Sequence, residues 1–187
     1  MFDDIIHFLL NIIFTVFGSA LLLRTWLTVI QLTPYNPLSQ AIFRATNWLV
    51  TPLHRIIPAA RGIDWISLFA AWLAAIIFIS LMVAISGGNP ALLFPAGFII
   101  ALLTTVKWAL NLTIWLTLIL ALLAVVNPRS PAIAILLQLT APLLNPLRRA
   151  IPTLSEIDLS PLVLLIIVEL LLMLITRITV SITMFKI

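Results

Sequence analysis

Runs of about 20 consecutive apolar residues are the feature of this sequence that most limits its fold. A helix rises about 1.5 Å per residue, so each run can cross a hydrocarbon layer about 30 Å thick. Only 9% of the 187 residues are charged and 63% are hydrophobic, which leaves too few polar groups to cover a water-soluble core. The runs are therefore predicted to be membrane spans. The first follows Asp3 and Asp4 rather than a basic segment, so we expect a retained span and not a signal peptide.

Four spans are predicted, at residues 5–30, 65–85, about 92–126 and 161–182. The third is unusually long, and an alternative divides it at Lys107 into two short spans. No turn-forming residue lies beside Lys107, so a single helix, tilted or kinked at Pro95, is favoured.

The chain contains two copies of one unit, displaced by 94 residues. Thr46–Pro58 aligns with Thr140–Pro152, and both segments end in a Pro-Leu-x-Arg-x-Ile-Pro turn. The same offset aligns Asp64 with Asp158 without a gap, which indicates a duplication. An even number of spans per unit makes the repeats parallel. The predicted fold is therefore an all-α membrane protein with four transmembrane helices from two parallel helix–loop–helix repeats, 1–90 and 91–187.

Each repeat is predicted to carry a loop helix between its spans, at about residues 37–51 and 131–144. Asn36-Pro37 and Ser130-Pro131 each supply a capping side chain followed by proline in the first helical turn. The first loop helix has a polar stripe opposite an apolar one, which is typical of a helix in the membrane interface. The stripe consists of Gln40, Arg44, Asn47 and Thr51. Such a helix is either a structural connector or a platform for a partner or anionic lipid.

The arginines of the two loops predict the orientation in the membrane. They are Arg44, Arg55, Arg61, Arg129, Arg148 and Arg149. The positive-inside rule puts both loops in the cytoplasm of a bacterial inner membrane and both termini outside. Side chains at headgroup level are predicted to contact lipid or a partner, namely Arg44, His54, Arg55, Arg148 and Arg149. Candidate partners are membrane lipids, anionic ones included, a second copy of the chain and another membrane protein. Nucleic acid is not expected, because membrane orientation explains the positive charges.

Charged groups within the spans each need a physical reason, because burying one in lipid costs about 2.5–3.5 kcal/mol. Arg24 and Glu169 lie at matching depths, roughly 10 and 12 Å from the cytoplasmic ends of their helices. Glu169 aligns with Ala75 in the small-residue row Ser67, Ala71 and Ala75, which predicts that it faces the bundle interior. We therefore predict an ion pair between Arg24 and Glu169, either as a structural lock or as part of an ion route.

Two further groups of polar residues are candidates for function. Near the outer face, a polar cluster is predicted from Asn11, Lys107, Asn111 and Arg177, suited to an anion, a lipid phosphate or a water-filled vestibule. The alternative is that the two cations extend separately to the interface. Asp64 and Asp158 precede the second and fourth spans. Each is expected to stabilise the positive end of a helix dipole or to pair with Arg55 or Arg149 of the same turn.

Recognisable enzyme signatures are missing from the sequence. It contains no nucleophile elbow, no zinc-protease motif and no glycine-rich phosphate loop, and no cysteine. His7 and His54 are predicted on opposite faces of the membrane, so a shared metal ion is not expected. No catalytic residue and no cofactor are predicted.

The loop motifs resemble those of the YggT family of bacterial inner-membrane proteins. The likeness rests on Leu22-Leu-Arg-Thr-Trp26, Tyr35-Asn-Pro-Leu-Ser-Gln40 and the two Pro-Leu-x-Arg-x-Ile-Pro turns. His54 departs from the pattern, since it replaces the first arginine of the doublet. The resemblance implies a role in osmotic-stress tolerance and monovalent-cation homeostasis, as a small transporter or channel or a modulator of one. The Gram-positive relatives imply a role in cell division. The chloroplast relatives imply roles in cytochrome b6 assembly and nucleoid distribution.

Two functions are therefore carried forward. The first is cation homeostasis without catalysis. The second is an assembly or scaffold protein that recruits partners through its two cytoplasmic loop helices, which is favoured because few intramembrane polar groups make a poor conduit.

Overall fold

The chain is helical throughout the described residues. The computed structural model describes residues 2–32, 36–56, 64–89, 94–150 and 158–184, and within these ranges it contains no strand. The helices are α1 (Phe2–Val29), α2 (Pro37–Ile56), α3 (Trp65–Ile85), α4 (Ala96–Val126), α5 (Pro131–Ala150) and α6 (Ser160–Met184). Four of them are long and apolar enough to cross a membrane, at Asp4–Val29, Trp65–Ile85, Ala96–Val126 and Ser160–Thr183. The all-helical fold with four apolar spans is confirmed.

The long third span is one helix. Helix α4 runs for 31 residues through Lys107 without interruption, so the alternative of two short spans is wrong. Its start differs from the predicted residue 92, because it begins at Ala96, directly after Pro95. Pro95 therefore precedes the helix instead of kinking it. This position suits proline, because it has no backbone N–H to donate within a helix.

Helices α2 and α5 are longer than predicted, because both continue through prolines. Pro52 lies inside α2, and Pro142 and Pro146 lie inside α5. All three prolines are exposed. Proline removes one helical hydrogen bond, but on an exposed face the freed carbonyl can find another partner, so the helix bends rather than ends. Both helices have 20 residues, and their ends are displaced by the same 94 residues as the sequence motifs.

Packing divides the chain into two compact units, residues 1–109 with 179–187, and residues 110–178. In the first unit, α1, α2 and α3 pack on one another. The row of small residues predicted on α3, Ser67, Ala71 and Ala75, is fully buried. Small side chains let helix backbones approach closely, which explains the tight contact between α1 and α3.

A second close approach in this unit joins α1 to the first part of α4. Gly18 is buried, and a Cβ atom built on it would overlap the ring of Trp108. Trp108 is itself 3% exposed and lies with its ring centroid 6.0 Å from that of Phe78 on α3. Glycine at position 18 is therefore required by the indole that covers it.

We predict that Gly18→Ala destabilises the protein, although alanine favours a helix by about 1 kcal/mol over glycine. Overpacking against the Trp108 ring should cost about 1–3 kcal/mol and so outweigh that gain. Thermal unfolding in detergent measures the effect, with Ser19→Ala as the neighbouring control. An equal or raised melting temperature for Gly18→Ala would show that Trp108 is not packed on this position.

Candidate functional site

Arg24 is the charged residue that the first unit buries most thoroughly among those described. It lies on α1 and is 6% exposed. It stands five residues before the end of its apolar span, Asp4–Val29. A buried guanidinium needs both a counter-charge and acceptors for its donors, and the structure supplies them from two other helices.

The guanidinium of Arg24 is held by four residues of α2 and the start of α3. Its Nε donates to Oδ2 of Asp64 at 3.2 Å. Its Nη1 donates to Oγ1 of Thr46 at 3.0 Å and to Oδ1 of Asn47 at 2.7 Å. The ring of Phe43 lies beneath it, with 4.7 Å from Cζ to the ring centroid. We call these five residues the Arg24 lock, since they join α1, α2 and α3.

Asp64 has two roles in the lock. It is the N-cap of α3, where Oδ1 accepts from the Ser67 amide at 3.0 Å and Oδ2 from the Ser67 hydroxyl at 2.6 Å. Burial alone raises the pKa of Asp64, but the hydrogen bonds from Ser67 and the nearby Arg24 outweigh it, and the net pKa is lowered. The contribution of this carboxylate to stability is therefore complete above the pKa of an unfolded aspartate and is lost as the pH falls through the lowered pKa of the folded state.

The partner of Arg24 differs from the one predicted. The sequence pairs Arg24 with Glu169, whereas the structure gives it Asp64, Thr46 and Asn47 of its own unit. Glu169 belongs to the other unit, and its side chain is exposed there. Equal depth along two spans compares heights only, and it carries no information about the loop helix α2, which packs on α1 and α3.

The second unit neutralises its helix-start aspartate in another way. Asp158 accepts from the Ser160 amide at 3.0 Å and from Nε and Nη2 of Arg148, both at 2.8 Å. The hydrogen bonds from Ser160 and the charge of Arg148 lower the pKa of Asp158 despite partial burial. The arginine is Arg148, one residue before the predicted Arg149. Both aspartates have the predicted position at a helix start.

His54 stands 94 residues before Arg148 and has a related neighbour. Its Nε2 lies 3.9 Å from Oδ1 of Asp64, and its side chain is 34% exposed. In the first half, therefore, the guanidinium that pairs with Asp64 belongs to Arg24 of the span α1. His54, a weaker base than arginine, stands at the position that corresponds to Arg148. Residue 118, which corresponds to Arg24, is a leucine. In each half one arginine pairs with the helix-start aspartate, and the two arginines lie on helices that do not correspond to each other in the repeat.

The remaining basic residues of the loop helices differ in their surroundings. Arg44 and Arg149 are exposed, and neither has an ion pair or hydrogen bond within the described parts of the chain. The side chain of Arg55 and all of Arg61 lie outside the described residues. Contacts of these basic groups with lipid or a partner stay a prediction.

The predicted outer polar cluster is divided between the two units. Asn11 and Lys107 belong to the first and Asn111 and Arg177 to the second. Asn11 is exposed and accepts from Oγ1 of Thr15 at 3.5 Å, Lys107 and Asn111 are half-buried, and Arg177 is exposed. Their convergence stays a prediction.

The Arg24 lock can hold helices together but offers no reactive group. Its charges cancel, and the donors Nε and Nη1 are already engaged. Sequence reasoning missed Phe43, Thr46 and Asn47. A signal was present, because Asn47 belongs to the polar stripe of α2, and Thr46 lies on the apolar side where a polar side chain needs a buried partner.

Comparison with known proteins finds relatives over most of the chain. The family model described as CCB3/YggT matches residues 4–85 and 99–179. A protein of the proC 3′ region in Vibrio alginolyticus is 40% identical over 162 residues, 85% of this chain and 86% of its own. YggT of Escherichia coli strain K12 is 35% identical over 160 residues, covering 85% and 82%. A Pseudomonas aeruginosa protein is 32% identical over 156 residues, covering 82% and 79%. No solved structure matches the chain.

We predict that the first half can be converted to the arrangement of the second. Arg24→Leu leaves the Asp64 carboxylate buried without its guanidinium, which should cost about 3–5 kcal/mol of unfolding free energy. Adding His54→Arg supplies a guanidinium from α2, as Arg148 does for Asp158, and should recover most of the loss. Thermal unfolding in detergent of the two variants and the parent protein measures this.

Arg177→Leu is the matched control, because Arg177 is an exposed arginine on a span with no ion pair in the described chain. It should change the melting temperature little. Two results contradict the lock: an Arg24→Leu variant as stable as the parent, or a double variant no more stable than Arg24→Leu alone.

Proposed function

The chain belongs to the CCB3/YggT family, and we propose that it is a non-enzymatic, multi-pass protein of the bacterial inner membrane that recruits partner proteins through loop helix α2. Of the two functions that the sequence suggests, this assembly or scaffold function has the better geometric support. The Arg24 lock is the observation that carries it.

The lock supports recruitment because it fixes the orientation of α2. Three lock residues come from α2, and they hold its inner face against α1 and α3. Three residues of the polar stripe, Gln40, Arg44 and Thr51, are consequently left exposed on the outer side of α2, while Asn47 is hydrogen-bonded to Arg24. A surface held rigid before binding loses less conformational entropy when a partner docks, so the same contacts give a higher affinity.

The lock also weakens the case for conduction through Arg24. A guanidinium repels a cation and offers it no acceptor, and Nε and Nη1 of Arg24 are bound to fixed acceptors of the protein. An arginine neutralised by a helix-capping carboxylate is better suited to joining helices.

The proposed orientation has both loops in the cytoplasm and both termini outside, with two parallel repeats. Two observations support duplication: the family model matches both halves of the chain, and α2 and α5 have equal lengths at the 94-residue offset. The exposed Arg44, Arg129 and Arg149 support a cytoplasmic location for the loops through the positive-inside rule.

We predict that reporter fusions will follow this orientation. Alkaline phosphatase fused after Ile187 or within the turn at Gly87 should be active, and the same enzyme fused after Arg129 should be inactive. Green fluorescent protein at the same three positions serves as the inverse control. An active phosphatase after Arg129 would reverse the orientation and put α2 outside the cell.

Cation homeostasis is the second candidate, and Glu169 is the observation that favours it. This carboxylate lies within span α6 and is exposed on its unit. A charge in that position is costly unless water, an ion or another helix faces it. The protein would then transport a cation or modulate a protein that does.

One pair of experiments separates the two functions. A photo-crosslinking amino acid at Gln40 or Thr51 should capture a reproducible protein partner in cells, whereas the same group at the exposed Leu174 of α6 should capture lipid. Purified protein in liposomes should give no K⁺ or Na⁺ flux. A flux that disappears in Glu169→Gln, together with lipid as the sole adduct from α2, would replace recruitment by transport.

A further inference from the structure

An apolar groove opens on the side of the first unit, between α1, α2 and α3. Its volume is about 380 Å³, and every side chain that lines it is apolar. The walls include Ile13 and Phe17 of α1, Trp48 and Leu53 of α2, and Ala74 and Ile77 of α3. The small side chain of Ala74 forms part of its floor, so the cavity exists because α3 carries alanine where larger residues would fill the space.

The groove is open at the surface of the first unit, along its apolar spans. Ile13 is 59% exposed, Ile77 53% and Trp48 68%. The first two lie within helices long and apolar enough to cross a membrane. The medium around such a surface is hydrocarbon, so the chemistry that fits an entirely apolar groove there is an acyl chain.

Two residues of α2 suit a phospholipid headgroup: Trp48 in the wall of the groove and Arg44 one turn before it. Trp48 packs on Phe17, with 5.5 Å between the ring centroids, and its indole combines an apolar body with an N–H donor, as is common at membrane interfaces. Arg44 precedes Trp48 by one helical turn and so lies on the same face. It is exposed and has no ion pair or hydrogen bond within the described chain. A guanidinium binds phosphate oxygens in a bidentate manner.

The second half of the chain does not have this combination of features. At the offset of 94, Ile13 and Phe17 correspond to Lys107 and Asn111, and the alanine floor to a valine. Trp48 corresponds to Pro142 and Arg44 to Gln138. The apolar walls, the indole and the arginine therefore occur together in one half only, which is expected if they serve one ligand and not the general packing of the repeat.

We propose that this groove binds one acyl chain of an anionic phospholipid, whose phosphate is bound by Arg44 beside Trp48. The inference does not depend on partner recruitment, because it assigns only Arg44 of the polar stripe to a lipid phosphate, and Gln40 and Thr51 stay exposed for a partner protein. The bound lipid fills the space between the three helices of the Arg24 lock on their membrane side.

The readout in the full-length protein is the part of the quenching that Trp48→Phe removes, because the chain contains six tryptophans. The protein is reconstituted in phosphatidylcholine vesicles with a minor fraction of brominated lipid, either phosphatidylglycerol or phosphatidylcholine, since bromine quenches a nearby indole. Brominated phosphatidylglycerol should quench more strongly, and the difference should vanish in Trp48→Phe. Arg44→Gln, which installs the residue of position 138, should reduce the preference about tenfold, the value of one charge-assisted hydrogen bond.

Two variants complete the test. Arg129→Gln removes an exposed arginine of the other unit and should leave the preference unchanged. Ile77→Phe, at the rim of the groove, should reduce quenching by both lipids without lowering the melting temperature. Equal quenching by the two lipids, or a preference that survives Arg44→Gln, overturns the headgroup assignment. Quenching of Trp48 that is unchanged in Ile77→Phe overturns the groove as the acyl-chain site.

Discussion

A guanidinium buried near the end of an apolar span is the constraint on which the first unit depends. Its desolvation costs several kcal/mol unless a counter-charge and fixed acceptors replace the lost water. Arg24 obtains the charge from Asp64 at the start of α3 and the acceptors from Thr46 and Asn47 of α2. Satisfying one side chain therefore requires three helices to meet, which turns a loop helix into a fixed part of the bundle.

The two halves of the chain solve the same electrostatic problem with different residues. Both begin their last span with an aspartate that caps the helix, and both supply one arginine to it. In the second half this arginine comes from α5, ten residues earlier in the chain. In the first half it comes from the span α1, and a histidine remains in the α2 position. The first arrangement ties α1 into the contact, whereas the second joins α5 to the start of α6 alone.

Much of the fold follows from the sequence, because hydropathy and helix-start chemistry act locally. The four spans, the starts of α2 and α5 at proline, and the buried small residues of α3 are all predicted from residues within one helical segment. The ends of α2 and α5 are missed, since exposed prolines bend a helix without ending it. The partner of Arg24 is missed for another reason: it depends on how far α2 packs between the spans, which is a tertiary property. The sequence predicts Asp64 at a helix start, with the helix dipole or Arg55 as its partner, and does not connect it with Arg24.

The central claim is that the Arg24 lock fixes α2 on α1 and α3, and a distance measurement tests it most directly. The chain has no cysteine, so a pair introduced at the exposed positions Gln40 and Leu81 can carry two spin labels without other changes. Pulsed electron paramagnetic resonance in liposomes should give one narrow distance distribution for the parent protein. The distribution should be broad in Arg24→Leu and narrow again when His54→Arg is added. A distribution equally narrow in Arg24→Leu would contradict the account, because α2 would then be held without the lock.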